Sequence, residues 1–220
     1  MIPVPKGVLK LLFSGQLKWE EGKINLLDVY TFIAPVEFFE YYTKFIRKDK
    51  KLIDDFYLAG WVAGYTITKK LMNSYELKTP QERYTLTMNF LEVGGYGTYK
   101  TIEFIPGVRS HFFYISNPLP AKFYPSKEPV CDFMRGLGAG GGTQVHKKIV
   151  NGIELDCAAI NGKYCDFINF CFDDKITIKK YSKIIEAQFH NYEKIINFER
   201  KYIKEIKDTK EIFIKNSKDK

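Results

Sequence analysis

The sequence predicts an α+β fold, in which an antiparallel sheet is packed by helices and a long helix lies at the C-terminal end. Of the 220 residues 45% are hydrophobic, which is enough for one sizeable core. Segments with two-residue apolar alternation are separated by turn residues, as is typical of antiparallel hairpins. Other segments space their apolar residues by three and four positions, as amphipathic helices do. No apolar run reaches the ~20 residues that span a bilayer, so we expect no membrane span and a cytoplasmic protein.

The first half of the chain is predicted to contain one strand pair and three helical segments. Residues 7–20 alternate and end at a turn, which predicts the strand pair. Residues 27–47 have helical spacing that Pro35 interrupts, and 52–73 form a convincing helical pattern. A capped helix is predicted from about 80 to 92.

The middle of the chain is predicted to contain a hairpin followed by a glycine-rich helix. Residues 98–105 and 110–115 are strand-like and are separated by a Pro-Gly turn. A helix is expected to begin near Pro129 and to pass through the glycines. Because the four small residues 139–142 are unfavourable in a helix, we expect a kink or early fraying there.

The last part of the chain is predicted to contain a second hairpin and one long helix. The hairpin covers about 150–172 and turns at Asn161-Gly162. After residue 174 the apolar spacing predicts a helix whose apolar stripe is interrupted at Glu199. The sequence therefore divides into a domain over 1–174 and a basic amphipathic helix and tail over 175–220.

The net charge of +8 is concentrated in the C-terminal segment. From 175 to 220 there are 13 Lys or Arg against 7 Asp or Glu. No spacing typical of helix-turn-helix, RNA-binding or zinc-finger modules accompanies this charge. We therefore expect a solvated lysine-rich helix surface and no specific nucleic-acid partner.

The glycine run has the spacing of a dinucleotide-binding fingerprint. Gly136, Gly138 and Gly141 fit G-x-G-x-x-G, but that motif binds a pyrophosphate only where it links a strand to a helix in a βαβ unit. Here the preceding residues follow a proline and predict a helix start. We expect these glycines to let the helix approach a sheet or a second helix closely, or to leave room for a ligand.

Three cysteines and one glutamate provide the strongest functional signal. Cys131, Glu154, Cys157 and Cys165 follow the spacing Cys-x22-Glu-x2-Cys-x7-Cys. Thiolates and a carboxylate are ligands of tetrahedral zinc, and in a reducing compartment clustered cysteines favour a metal over disulfides. On spacing alone, three buried structural cysteines without a metal are an equal alternative. Cys171 is expected to be an ordinary core residue.

The residues around this cluster resemble the V4R (4-vinyl reductase) domain family. The family pattern is Pro-Val-Cys, a helix with spaced glycines, Glu-x2-Cys, a glycine-containing turn, and a Cys followed by an acidic or polar residue and an aromatic. The matching segments are 129–131, 154–157 and 162–167. The resemblance is specific over about 100–172 and implies a V4R-like ligand-binding domain over 1–174.

The resemblance is closest to the N-terminal sensor domains of phenol-responsive bacterial activators. In those domains the matching Cys, Glu, Cys and Cys bind a structural zinc ion. The resemblance therefore implies zinc ligands at four positions, which are Cys131, Glu154, Cys157 and Cys165. Four protein ligands leave no open coordination position, so the predicted site is structural and not catalytic.

The spacing of these ligands sets conditions on the second hairpin. Strand parity places Glu154 and Cys157 on opposite faces, so a bulge or a strand end is predicted between them. A three-residue loop over 161–163 would place Cys157 and Cys165 on one face. His146 is the reserve ligand if Glu154 turns away.

A ligand pocket is predicted in the aromatic interior, because the chain has 18 Phe, 15 Tyr and 2 Trp. The resemblance places the pocket between sheet and helices, and plain core packing is the alternative for each candidate. The Trp-Glu-Ala segment of the phenol sensors is replaced by 117–121 here, so the expected ligand is hydrophobic or aromatic and is not specified as phenol. The candidate lining residues are Trp61, Tyr65, Phe90, Tyr96, Phe104, His111, Phe113 and Tyr114.

We therefore expect a stand-alone, zinc-stabilised sensor domain that binds a small molecule and acts through a partner protein, for instance along the C-terminal helix. A homodimer is expected, because the sensor domains that it resembles are dimeric and the apolar stripe of the C-terminal helix needs cover. One alternative is an accessory subunit or reductase of tetrapyrrole metabolism, as the family name implies. Another is an interaction or scaffold protein. The absence of a Ser-His-Asp arrangement argues against an enzyme.

Overall fold

The predicted α+β fold is confirmed by the computed structural model, in which two antiparallel sheets are packed by helices. No helix in the described ranges is both long and apolar enough to cross a membrane. The described residues are 15, 17–20, 23–26, 29–31, 35–116 and 124–218. Their elements are, in chain order, β1 (Leu17–Glu20), β2 (Lys23–Leu26), β3 (Val29–Thr31), α1 (Val36–Ile46), α2 (Lys50–Ser74), α3 (Pro80–Val93), β4 (Thr98–Ile105), β5 (Arg109–Ser116), α4 (Asp132–His146), β6 (Val150–Asp156), α5 (Ala158–Asn161), β7 (Cys165–Cys171), α6 (Lys175–Lys180), α7 (Ser182–Gln188) and α8 (Tyr192–Lys218).

The small sheet is a meander of β1, β2 and β3. The predicted strand at 17–20 is present as β1, whereas 7–14 lie outside the described residues. The helical interpretation of 27–47 is wrong in its first part, because β3 pairs with β2 and places Leu26 opposite Val29. β-Branched and aromatic residues favour such a strand, and the helix α1 begins only after Pro35.

The helices α2 and α3 confirm two predictions closely. The side chain of Asp49 caps α2 by accepting a hydrogen bond from the Lys51 backbone amide. A reciprocal capping box between Thr79 and Glu82 starts α3, with Pro80 in its first turn. The local capping box at Thr79 explains why the start of α3 could be predicted from sequence alone, whereas α2 was predicted from its apolar spacing.

The large sheet has the strand order β4-β5-β7-β6 and supports α4 on one face. The predicted hairpin of β4 and β5 is present, and Gly107 takes the positive φ of 72° that its turn requires. The rings of Phe112 and Phe167 are buried on the face that α4 covers. The large sheet, the helix α4 and the helix α2 therefore form three successive layers.

The glycine-rich helix α4 is continuous over its 15 residues, so the early fraying that was one of the two expectations for 139–142 is wrong. Its glycines face two neighbours: a Cβ at Gly136 or Gly140 would strike the backbone of α2, and one at Gly138 would meet the side chain of Asn169 in the sheet. Close tertiary packing on both sides offsets the low helix propensity of these residues.

The long C-terminal helix is present as α8 but begins at Tyr192 and not near 175. The chain before it forms α6 and α7, which end at Lys180 and Gln188. A buried carboxylate on α2, Asp54, accepts hydrogen bonds from the backbone amides of His190 and Asn191, so it holds the turn that precedes α8. The segment after 174 adds buried Ile185, Phe189 and Ile195 to the core that α2 and β6 share.

Candidate functional site

The structure brings together the four residues that the sequence singled out. Potential ligand atoms of Cys131, Glu154, Cys157 and Cys165 all lie within 4.8 Å of one another, and all four residues are buried. The Cys131 sulfur lies 3.5 Å from that of Cys165 and 3.9 Å from that of Cys157. All four cysteines of the chain are free thiols.

These distances fit a tetrahedral metal ion. With metal–sulfur bonds of 2.3 Å, neighbouring sulfurs of a tetrahedral site are separated by about 3.8 Å. The Oε1 atom of Glu154 is buried and has no hydrogen-bond partner among the described residues, although buried carboxylate oxygens are otherwise paired. Three thiols and one unsatisfied carboxylate oxygen are therefore a donor set that could hold a metal.

Three separate elements carry the cluster. Cys131 immediately precedes α4, Glu154 lies in β6, and Cys165 begins β7. The pairing register of β6 and β7 shifts between Glu154 and Asp156, which confirms the irregularity predicted between Glu154 and Cys157. The bulge redirects the chain so that both side chains reach the same point.

The loop that joins β6 to β7 differs from the prediction. The chain does not turn over 161–163; it leaves the sheet after Asp156 and makes one helical turn, α5, before Gly162 in a left-handed conformation with φ of 70°. Cys157 therefore precedes a helical turn and is not paired across a strand. The backbone amide of Ala158 in this turn donates a hydrogen bond to the Cys165 sulfur at 3.3 Å.

Burial and hydrogen bonds between the thiols both set the acid–base chemistry of the cluster. Burial raises the pKa of the Cys131 thiol and the pKa of Glu154 well above their usual ranges. The pKa of Cys157 is lowered to about 2, chiefly because the Cys131 thiol donates a hydrogen bond to it. The hydrogen bond with Cys131 also lowers the pKa of Cys165, but the contact with Cys157 and burial together raise it. A bound cation would favour the thiolate and carboxylate forms and release these protons.

A buried charge network lies directly behind Cys131. Asp132 accepts hydrogen bonds from Arg47 at 2.7 Å and from Arg135 at 3.0 Å, and Arg47 also donates to the carbonyl oxygen of Pro129. Arg135 is itself buried and donates to the carbonyl oxygens of Gly152 and Gln188. These two guanidinium groups neutralise Asp132, the carboxylate that follows Cys131 in the chain.

The helix α7 holds Glu154 in place at the edge of the sheet. The Gln188 side chain accepts a hydrogen bond from the Glu154 amide at 2.9 Å and donates one to the Glu154 carbonyl oxygen at 2.6 Å. A side chain thus replaces a neighbouring strand along β6. No local sequence signal indicates this role of Gln188, whereas Asp132 and Arg135 are three residues apart in a predicted helix, a spacing that favours an ion pair.

Two further residues that the sequence analysis considered beside the metal ligands, His146 and Cys171, lie away from the cluster. His146 is the last residue of α4. At 1.5 Å per residue the helix places it about 20 Å from Cys131, so it does not serve as a reserve ligand. Its Nδ1 accepts a hydrogen bond from the Gly107 amide, and burial lowers its pKa to about 4, aided by Arg83 and Lys148. Cys171 is buried in the second core cluster, away from the other three thiols.

The candidate pocket residues divide into three groups. Phe90, Tyr96, Phe104 and Tyr114 belong to one core cluster beside α3 and the large sheet. Trp61 and Tyr65 stack in a second cluster with ring centroids 5.2 Å apart. His111 and Phe113 lie on the opposite face of β5 from Tyr114, and His111 pairs with Asp166 at 2.7 Å.

Two clefts open on the described surface. One, of about 510 Å³, lies beside the cluster and is lined by Glu154, Asp132 and Arg47 among others. The other, of about 680 Å³, lies against α8, and Tyr65 is the member of the predicted pocket set that lines it.

Comparison with known proteins gives no match to a family model or to a curated protein. The phenol-responsive sensory domain of the transcription activator PoxR, solved with phenol, has a similar structure: its TM-score is 0.62 at 14% identity, over 81% of this chain and 98% of that one. A vinyl-4-reductase family protein from Methanocaldococcus jannaschii matches with a TM-score of 0.44 at 17% identity, over 63% of this chain and 82% of that one. The similarity to the phenol-responsive sensory domain confirms the fold that the motif resemblance implied.

Proposed function

We propose that this chain is a small-molecule-binding sensor domain whose elements are tied together by one structural zinc ion. The observation that carries the proposal is the buried cluster of three thiols and one carboxylate in a fold similar to that of a phenol-responsive sensory domain. A closed set of four protein ligands supplies a crosslink and leaves no coordination position for a substrate.

Zinc is the metal that best suits this donor set. Thiolate ligands select zinc and other soft ions, whereas calcium and magnesium require oxygen ligands. Cys131, Glu154, Cys157 and Cys165 would hold the ion, with Gln188 orienting the glutamate. The ion would connect the start of α4 to β6 and β7.

The ligand of the sensor is proposed to be a hydrophobic or aromatic molecule in the interior beside α3. Phe90, Tyr96, Phe104 and Tyr114 share one apolar cluster there, and Tyr84 stacks on Phe104 with ring centroids 4.5 Å apart. Aromatic walls of this kind are common in sites for small apolar ligands. The segment 117–121, which departs from the phenol sensors, lies outside the described residues.

We also propose that the chain forms a homodimer and that a protein partner binds along the C-terminal helix. The exposed aromatic face of α1 supports self-association, because Tyr41 is 71% and Phe45 is 50% exposed, and Phe38 and Tyr42 lie beside them. Aromatic residues exposed together are enriched at protein interfaces. A second copy of the chain would cover this face.

Native mass spectrometry of protein purified without chelators tests metal, ligand and oligomer together. We expect a dimeric mass with one zinc per chain and an additional organic mass of aromatic or apolar character. Cys157→Ser should lose the zinc, whereas Cys171→Ser, which changes a buried cysteine outside the cluster, should retain it.

The outcomes separate the candidate functions. Wild-type protein without zinc would contradict the metal assignment. A copurified mass of porphyrin size would instead favour a role in tetrapyrrole metabolism. If no organic mass is found, saturation-transfer NMR with phenol, toluene and 2-naphthol should detect binding. The absence of a saturation-transfer signal for all three compounds would overturn the proposed aromatic ligand.

A further inference from the structure

We propose that the cleft against α8 is a second binding site, which takes an amphipathic anion with an apolar body and a terminal carboxylate. This site goes beyond the proposed sensor function, because neither the metal cluster nor the aromatic interior beside α3 forms it. Its lining residues come from α2, the end of α4, the following loop and α8; they are Tyr65, Lys69, Thr143, Gln144, Lys147, Lys148, Ile149, Arg200, Ile203 and Lys204.

The shape of the cleft suits a ligand of drug-like size. Its volume of about 680 Å³ lies within the range of roughly 300–1,000 Å³ that is usual for small-molecule sites. Tyr65, Ile149 and Ile203 provide apolar surface, and Tyr65 is itself buried against Trp61. The Tyr65 hydroxyl and the Gln144 side chain add neutral polar groups to the lining.

The charge of the cleft has a single sign. Half of its ten lining residues are cations, and none is acidic. Among the acidic residues of α8 near the cleft whose side chains the structure describes, Glu199 is buried against Asn151 and Glu205 pairs with Lys201. One of the cleft cations, Lys148, pairs with Asp173. Cations that converge from several elements on an apolar surface favour a ligand that is apolar with a negative end.

Lys147 lies beside the cleft as the residue that caps the C-terminal end of α4. It is the one non-glycine residue in the described ranges with a positive φ, 58°. That conformation costs a side-chain-bearing residue roughly 1–2 kcal/mol, and glycine or asparagine adopts it more readily. Burial and the nearby Arg83 lower the pKa of Lys147. A carboxylate in the cleft would favour the charged form of Lys147 and so offset the effects of its partial burial and of the nearby Arg83.

A ligand in this cleft would connect α8 to the body of the domain. It would contact Tyr65 on α2, Gln144 on α4 and Ile203 on α8 at the same time. Its binding free energy would therefore stabilise the docked position of the C-terminal helix.

Isothermal titration calorimetry with decanoate tests the site, and 1-decanol serves as the uncharged ligand of equal length. We expect one decanoate per chain and much weaker binding of decanol. The double variant Arg200→Gln/Lys204→Gln should weaken decanoate binding by about tenfold or more, as expected for the loss of charge-assisted contacts. Lys147→Asn should weaken it as well, because asparagine accepts the left-handed backbone but lacks the charge.

The matched control is Lys201→Gln, which removes one positive charge from the same helix at a residue that is paired outside the cleft. Equal affinity for decanol and decanoate would overturn the proposal, and so would decanoate binding that the cleft variants leave unchanged. Binding to phosphatidylglycerol vesicles without binding of monomeric decanoate would also overturn it and would assign the cations to a membrane surface. Zinc content and aromatic-ligand binding are measured separately, so failure here leaves the proposed function standing.

Discussion

Glu199 is a carboxyl group inside the core between α8 and β6. Its side chain is fully buried, and both of its oxygens accept hydrogen bonds from the Asn151 amide nitrogen, at 2.8 and 3.0 Å. The Oδ1 atom of Asn151 has no partner among the described residues. Burial raises the pKa of Glu199 well above its usual range, and the hydrogen bond from Asn151 lowers it by less.

The sign of the resulting pH dependence follows from linkage. A raised pKa means that the folded chain holds the Glu199 proton more tightly than the unfolded chain does. The stability that this group contributes is therefore fully present below the ordinary pKa of a glutamate and is lost as pH rises through the folded pKa. Tyr57 and Tyr192 face the same network, and the negative charge of Glu199 raises the pKa of each in addition to burial.

We expect Glu199→Gln to stabilise the protein at pH 8 by about 1 kcal/mol, because the new amide has no charge to bury and can donate to Asn151 Oδ1. The difference from wild type should shrink toward pH 4, where Glu199 is protonated and can donate in the same way. Urea denaturation at pH 4, 6 and 8 measures this, with the exposed Glu205→Gln as control. A stability difference that does not change with pH would contradict the assignment.

At the scale of elements, α2 and α4 pack with unusually close backbones. Gly60 and Gly64 on α2 face Gly136 and Gly140 on α4, and a Cβ on any of the four would collide with a backbone carbonyl group of the opposite helix. Both pairs are four residues apart, so they lie on one face of each helix. Of the glycines that fit the nucleotide fingerprint, Gly136 therefore serves the contact with α2, and Gly138 faces the sheet.

We expect Gly140→Ala to lower the free energy of unfolding by about 2 kcal/mol or more, because the added methyl group forces the helices apart. Gly138→Ala is the matched control on the same helix, since its methyl group would meet the movable side chain of Asn169. In that variant, the stabilisation from the higher helix propensity of alanine and the destabilisation from the contact with Asn169 should nearly cancel. Equal urea midpoints for the two variants would show that the close backbone contact is unimportant.

For the whole molecule, the metal cluster would act as a crosslink between segments far apart in sequence. It joins the start of α4 to both β6 and β7, and Gln188 connects it to α7. Loss of the ion would leave buried thiols and a buried carboxyl group together, with the Glu154 Oε1 atom unsatisfied.

We expect removal of zinc by a strong chelator to lower the melting temperature by about 10 °C. Ligand present at a thousand times its Kd contributes about 4 kcal/mol, and about 1 kcal/mol shifts a domain of this size by 2–4 °C. Differential scanning fluorimetry measures the shift. Added zinc should restore the original value and added calcium should not. An unchanged melting temperature in protein shown to have lost its metal would contradict a structural role.

Local patterns account for the parts of the fold that were predicted correctly. Thr79 and Glu82 form their capping box within four residues of each other, and the turn at Gly107 depends on its own φ. The four residues of the cluster were also predicted, because their types and spacing single them out and the family resemblance implies that they lie at one point. The bulge before Cys157 followed from strand parity.

Other features depend on contacts between residues distant in the chain. The strand β3 forms because β2 lies beside it, although the spacing of its residues is helical. The helix α4 continues through four small residues because α2 and the sheet cover it. The turn before α8 is held by Asp54, which lies more than a hundred residues earlier. In each case the intrinsic helix or strand propensity of the residues is a weak influence, and tertiary packing decides the local structure.

Residue patterns, read with the family resemblance, were enough for the α+β class, the capped start of α3, the two hairpins and the four residues of the cluster, since each depends on nearby residues or on side-chain chemistry. Only the tertiary structure decided that α5 presents Cys157 and that Gln188 holds Glu154. It also placed a buried carboxyl group at Glu199 and basic side chains around an apolar cleft. These arrangements join separate elements, and their free energies arise from burial and contacts that exist only once the chain has folded.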